Sequence, residues 1–207
     1  MSKHDFTNGV TPKGSLLFPH IYEPETYEGK DVGYTVNIKF DQKETDALIA
    51  VIDKELEKAK HSIKLKPGQK WSAEPFLGYK EDKDGDIVFK FKANSHYMTK
   101  SGDMHKVTIP VFDAHGTLIT EPLSIGNGTI AKIAYTLVPY WISKVVNGIK
   151  LRLDAVQIID LKEYGQKSAK VFGFGEEEGF SAPSEDAVNA DVSSLLEEAE
   201  EDGDVEF

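Results

Sequence analysis

The chain has 207 residues, no cysteine and a formal net charge of −11. The missing cysteines exclude disulfides and thiolate metal sites, and no apolar run approaches the roughly 18 residues a membrane-spanning helix needs. The charge is unevenly spread: Gly175 to Phe207 holds 13 of the 35 acids and no Lys or Arg, which leaves 22 acids against 24 basic residues in positions 1–174. A weakly basic body joined to a polyanionic tail suggests a body that binds a polyanion and a tail that imitates it. The expected organisation is one folded domain at 1–174 and a disordered acidic tail at 175–207.

Residues 1–13 are polar, contain Gly9 and Pro12, and are expected to be loose. Ser15 to Tyr22 reads as a first strand, interrupted or ended near Pro19, and residues 23–31, with Pro24 and Gly29, read as a loop. Tyr34 to Phe40 alternates cleanly, with Tyr34, Val36, Ile38 and Phe40 on one side and Thr35, Asn37 and Lys39 on the other, which predicts a half-buried strand. Asp41 with Glu44 forms a capping box for a helix running to about His61, with Leu48, Val51, Ile52, Leu56 and Ala59 on its apolar face. Pro67 and Gly68 end that region, and Pro75 argues against a long regular element in Trp71 to Tyr79.

Asp82-Lys-Asp-Gly-Asp86 superficially resembles a calcium loop. The positions that need Gly and Glu hold Ile87 and Ala93 instead, so a tight hairpin turn is expected. Ile87 to Lys92 follows as a strand with Lys90 and Lys92 outward, and Lys106 to Phe112 as another, turned by Asp113-Ala-His-Gly116. Thr129 to Trp141 is the longest apolar stretch, and Gly148 to Leu161 is its antiparallel partner. About six short strands with Gly-rich turns and one substantial helix predict a mainly β protein, a small barrel of five to six antiparallel strands.

Little in the chain points to catalytic chemistry. The histidines form no helical pair suited to a metal, no phosphate-cradling loop or nucleophile elbow occurs, and Asp154 lies within a strand between Leu153 and Ala155. No enzyme, metal site or cofactor is predicted. What remains is aromatic side chains interleaved with lysines, the combination that stacks on bases and follows phosphates in a single-strand binder. Phe40, Phe89 and Phe91 share faces with aliphatic residues and read as core. Tyr22, Tyr97, Tyr135, Tyr140 and Trp141 are the stacking candidates, and Lys39, Lys90, Lys92, Lys132, Lys150 and Arg152 the phosphate candidates on outward strand faces.

Ile125-Gly-Asn-Gly-Thr129 before a long strand, then Gly148-Ile-Lys-Leu-Arg-Leu-Asp-Ala-Val-Gln-Ile-Ile-Asp-Leu161, then an acidic tail ending in Phe resemble the phage-encoded single-stranded DNA-binding proteins. The resemblance implies an OB fold, binding of single strands without sequence preference, and a role in phage replication and recombination. It also implies a tail that competes with DNA for the groove and recruits a polymerase or helicase; Leu195, Leu196 and Phe207 are its contact candidates. The chain carries no apolar leader after Met1, so a cytoplasmic protein is expected, in the host cell if phage-encoded, with no membrane partner, as a monomer or homodimer. The alternatives are a structural or decoration protein that does not bind nucleic acid, a single-strand annealing protein and, remotely, a nuclease.

Overall fold

The computed structural model describes residues 6–163. Positions 164–174 and the acidic tail at 175–207, with Leu195, Leu196 and Phe207, lie outside the described residues. Ten strands and one helix follow in the order β1 (Asn8–Val10), β2 (Gly14–Tyr27), β3 (Lys30–Lys39), α1 (Gln42–Ser62), β4 (Tyr79–Glu81), β5 (Ile87–Ala93), β6 (His96–Met98), β7 (Met104–Lys106), β8 (Val111–Phe112), β9 (Ile130–Trp141) and β10 (Asn147–Asp160).

Five strands close a barrel. β2 pairs β3, β3 pairs β5, β10 pairs β9 and β9 returns to β2, all antiparallel, while β5 and β10 run parallel. The order β2-β3-β5-β10-β9 with that single parallel seam is the five-stranded Greek-key barrel of the OB fold. Period-two alternation fills it. Leu16, Val36, Ile38, Phe89, Phe91, Ile133, Leu137, Ile149 and Leu151 are inward and essentially inaccessible, each worth about 1.5–3 kcal/mol on burial. Phe89 is flanked by Phe40 and Tyr79, each with ring centroids 5.5 Å from its own. The glycine-asparagine motif before β9 fastens the closure: Gly128 N–H donates to the Leu16 carbonyl, Phe18 N–H to Asn127 Oδ1, and Gly126 N–H to the Lys162 carbonyl.

The helix forms as its sequence dictates. Asp41 accepts from Glu44 N–H at 2.9 Å, and Leu48, Ile52, Leu56 and Ala59 are buried in the common core, whereas Val51, expected on the same face, is 38% exposed. Glu55, buried among them, accepts from the Thr7 hydroxyl at 2.6 Å.

Four expectations about the strands need correction. Residues 8–10 are not loose but form β1, paired with β9 through Asn8↔Thr136 to Val10↔Ala134. β2 continues through Pro19 and Pro24 to Tyr27, so positions 23–31 hold the end of a strand, a two-residue turn at Glu28-Gly29 and the start of β3. The prolines are tolerated because the β2–β3 register shifts between Leu17 and His20 and again between His20 and Glu25, where no ladder donor is required. Residues 106–112 are not one strand. β7 ends at Lys106 in a separate hairpin with β6, and only Val111–Phe112 join the main sheet, beside β10. The strand total accordingly exceeds six, although the barrel itself has five.

Candidate nucleic-acid interface

The outward faces of β3, β5, β10 and β9 present one row across the barrel. The register places Thr35 opposite Lys92, Lys92 beside Arg152, and Arg152 opposite Thr136. Next to this row lies an open groove of about 450 Å³ lined by Val32, Phe76, Lys90, Lys92, Asn94, Tyr140, Ile142, Lys150 and Leu151. Three ammonium groups and two aromatic rings therefore share one concavity.

Two aromatic walls come from distant parts of the chain. Tyr140 stands near the end of β9. Phe76 belongs to the irregular segment after α1, which is stitched onto β10: Phe76 N–H donates to the Asn147 carbonyl at 2.9 Å and Ile149 N–H to the Phe76 carbonyl at 2.7 Å. Gly148 makes this possible. Its φ is 149°, and a Cβ there would lie 1.8 Å from the Phe76 carbonyl oxygen. The buried Asn147 side chain completes the splice, accepting from Ser72 N–H and donating to the Ser143 and Lys144 carbonyls of the β9–β10 loop. Phe76 is 53% exposed, so its ring is presented rather than packed away.

The charges differ in availability. Burial, then Lys92 and Arg152 nearby, lower the Lys150 pKa below the ordinary lysine value. No salt bridge within the described residues holds Lys92 or Lys150. Lys90 lies 3.6 Å from Glu25, whose carboxyl is held below the usual range chiefly by the Thr35 hydroxyl. A phosphate entering the groove meets a cationic cluster whose members repel one another until an anion arrives.

Of the residues proposed from sequence, Lys90, Lys92, Tyr140 and Lys150 meet in the groove. Arg152 stands beside it, with its guanidinium engaged: Nε donates to Asp154 at 2.6 Å and Nη2 to the Thr136 hydroxyl at 2.9 Å. The other six are placed elsewhere. Lys39 is clamped between Asp82 at 2.5 Å and Asp86 at 2.9 Å, which raise its pKa well above the lysine range, hold it charged and offset that charge with their own. Tyr135 is a core residue, 6% exposed, packed on Phe91 with ring centroids 5.7 Å apart, because it shares the inward face of β9 with Ile133 and Leu137. Tyr22 lines a different hollow with Phe18, Pro19 and Leu123. Lys132 lies in a shallow one with Phe112 and Gln157. Trp141 adjoins Tyr140 in sequence but donates its indole N–H to the Lys70 carbonyl at 3.2 Å. Tyr97 projects on the β6–β7 hairpin, 55% exposed.

Phe76, Val32, Asn94 and Ile142 were not legible as groove residues. Phe76 reaches it through a pairing with a strand some seventy residues away. Among the described residues no group of three His, Asp or Glu side chains is arranged to hold a metal ion.

Chemically, the groove offers cations for phosphates and exposed π-faces for bases that are free to unstack. A family model described as single-stranded DNA-binding protein, Bacteriophage T7, matches residues 26–161. The single-stranded DNA-binding protein of Escherichia phage T7 is 30% identical over 131 residues, 58% of this chain and 56% of that protein. Its counterpart from Enterobacteria phage T3 is 31% identical over 121 residues, 58% of this chain and 52% of that protein. The chain thus spans about half the length of these curated relatives. The crystal structure of gp2.5, a single-stranded DNA-binding protein encoded by bacteriophage T7, superimposes with a TM-score of 0.66 at 22% identity, covering 86% of this chain and all of the other, a likeness of fold. With the family model spanning β3, α1, β5, β9, β10 and the groove between them, the chain belongs to the bacteriophage T7 single-stranded DNA-binding protein family.

Proposed function

We propose that this protein binds single-stranded DNA without sequence preference in the β5–β10 groove, and so coats and protects it during phage DNA replication and recombination. The observation that carries the reading is the convergence of Lys90, Lys92 and Lys150 with Phe76 and Tyr140 in one open concavity. Stacking on exposed rings contributes about 1–3 kcal/mol per base whatever the base, and it requires bases not already stacked in a duplex. The function is binding rather than catalysis. The acidic tail competes with DNA for the cationic face when DNA is absent. Once DNA is bound, the tail is free to recruit a replication polymerase or helicase through Leu195, Leu196 and Phe207. The protein acts in the host cytoplasm, as a monomer or homodimer.

The test is a titration against labelled oligo-dT over a range of salt. Each phosphate neutralised on a single strand contributes a slope of about −0.7 in log affinity against log salt, so three groove lysines give about −2. Replacing Lys92 and Lys150 together by Gln reduces both affinity and slope while the thermal midpoint holds. Equal affinity for duplex and single strand at moderate salt, or an unchanged double variant, overturns the reading.

A further inference from the structure

The β6–β7 hairpin stands apart from the barrel as its own two-stranded sheet, with all six strand residues exposed. It begins where the groove ends: Asn94 lines the groove and His96 opens the hairpin. We propose that this hairpin is a second nucleic-acid subsite, an arm that receives the single strand as it leaves the groove and stacks a base on Tyr97. The inference rests on the groove reading above.

Three observations carry it. First, Tyr97 and His105 are cross-strand partners whose rings stack with centroids 5.4 Å apart and planes 17° from parallel, so they offer a ready two-ring platform in solvent. Second, the arm's charge suits phosphate. Lys100 stands at the tip and Lys106 at the root, the latter on the strand face opposite Tyr97, and no salt bridge within the described residues holds either. The arm's one acid, Asp103, is spent on the turn, where it accepts from the Ser101 hydroxyl at 2.6 Å. Third, the root is fixed to the barrel, whereas the tip residues Thr99, Ser101 and Asp103 bond to one another. The Tyr34 phenol donates to the Val107 carbonyl at 2.7 Å, and Val107 N–H donates to the Ser95 carbonyl at 2.7 Å. The Ser95 hydroxyl donates to Asp31, which also accepts from Gly33 N–H at 2.7 Å. The platform is thereby tethered to the β2–β3 end of the groove.

The same hairpin is less suited to a protein partner. Met98 and Met104 pair with each other on the face opposite Tyr97, so its exposed apolar side chains are split between two faces and form no single patch.

Oligonucleotide length separates the arm from the groove. An oligo-dT of about 5 nucleotides is near the lower limit for one OB barrel and fills the groove alone, whereas one of about 16 reaches the arm. Tyr97→Ala should lose about five- to tenfold in affinity for the long oligonucleotide and less than twofold for the short one; Tyr97→Phe should restore the parent behaviour. A Tyr97→Trp variant should add fluorescence quenching, beyond the parent's own, with the long oligonucleotide only. Parent affinity of Tyr97→Ala on the long oligonucleotide, an equal loss at both lengths, or no added quenching overturns the arm. The double variant Lys92→Gln/Lys150→Gln weakens both lengths; if it does not, the groove reading fails, and the Tyr97 results still bear on the arm alone.

Discussion

Lys150 holds its charge where burial and two neighbouring cations disfavour it, so its folded-state pKa falls below the 10.5 of a free lysine. The sign follows from proton linkage. Below the folded value both states are protonated and the folded state carries the full repulsion. Between the folded value and 10.5 the unfolded chain holds more protons, so stability rises with pH across that window. Lys150→Gln should therefore leave the protein at least as stable at neutral pH, with the difference from the parent shrinking as pH climbs towards 10.5. The same variant should bind oligo-dT several-fold more weakly, with a salt slope flattened by about 0.7. Thermal melts over pH and salt titrations on one preparation check both. Lys39 is the contrast: with Asp82 and Asp86 already on its ammonium, Lys39→Gln should not change the affinity, and a clear loss would show that the clamp opens to DNA. Alternation along β5 and β10 made Lys90, Lys92 and Lys150 legible as outward. Alternation along β9 also places Tyr135 on the inward face with Ile133 and Leu137, and the structure buries it there. What no strand pattern reveals is which carboxylate lies across from a lysine, and that decides whether the charge is free.

At the scale of elements, the legible parts are those whose cause is local. Asp41 and Glu44 cap α1 three residues apart, and Asp82 turns β4 into β5 by accepting from Asp84 and Asp86 N–H. The segment from Trp71 to Gly78 was not legible because its shape is imposed by β10. Its backbone is satisfied by Asn147 and Ile149, and neither pairing leaves a local trace. This contact supports a prediction. Gly148→Ala places a methyl against the Phe76 carbonyl at a φ that side chains rarely adopt. It should cost about 1–3 kcal/mol in denaturant unfolding. It should also weaken oligo-dT binding, because the ring of Phe76 moves with its backbone. An unchanged affinity in the folded variant would remove Phe76 from the binding surface. The β6–β7 arm was missed for the opposite reason: its strands are three residues each, too short for a period to show.

For the whole molecule the charge division dominates. Removing residues 175–207 takes 13 acids from a chain of net charge −11 and leaves a body near +2. The truncated protein should bind oligo-dT more tightly than the full chain at low salt. The gap should close as the screening length falls from about 30 Å at 0.01 M to about 3 Å at 1 M. Deleting Phe207 alone leaves the side-chain charge intact and isolates the aromatic contribution. Identical low-salt affinities for the full and truncated chains would rule out competition by the tail. The charge division and the barrel class were both legible because they are properties of long stretches. The closure was not, since it depends on Gly14 and Ser15 meeting Ala131 and Ile130 across more than a hundred residues.

The parallel seam between β5 and β10 has a consequence for the order in which a ribosome delivers this protein. Lys90 and Lys92 emerge early, on the first side of the seam; Lys150, and the glycine on which Phe76 is seated, emerge some sixty residues later. A nascent chain that stops before Asn147 has two of the three groove lysines, an unseated Phe76 and no completed groove. The groove therefore takes shape at one moment, near the end of barrel synthesis, rather than strand by strand.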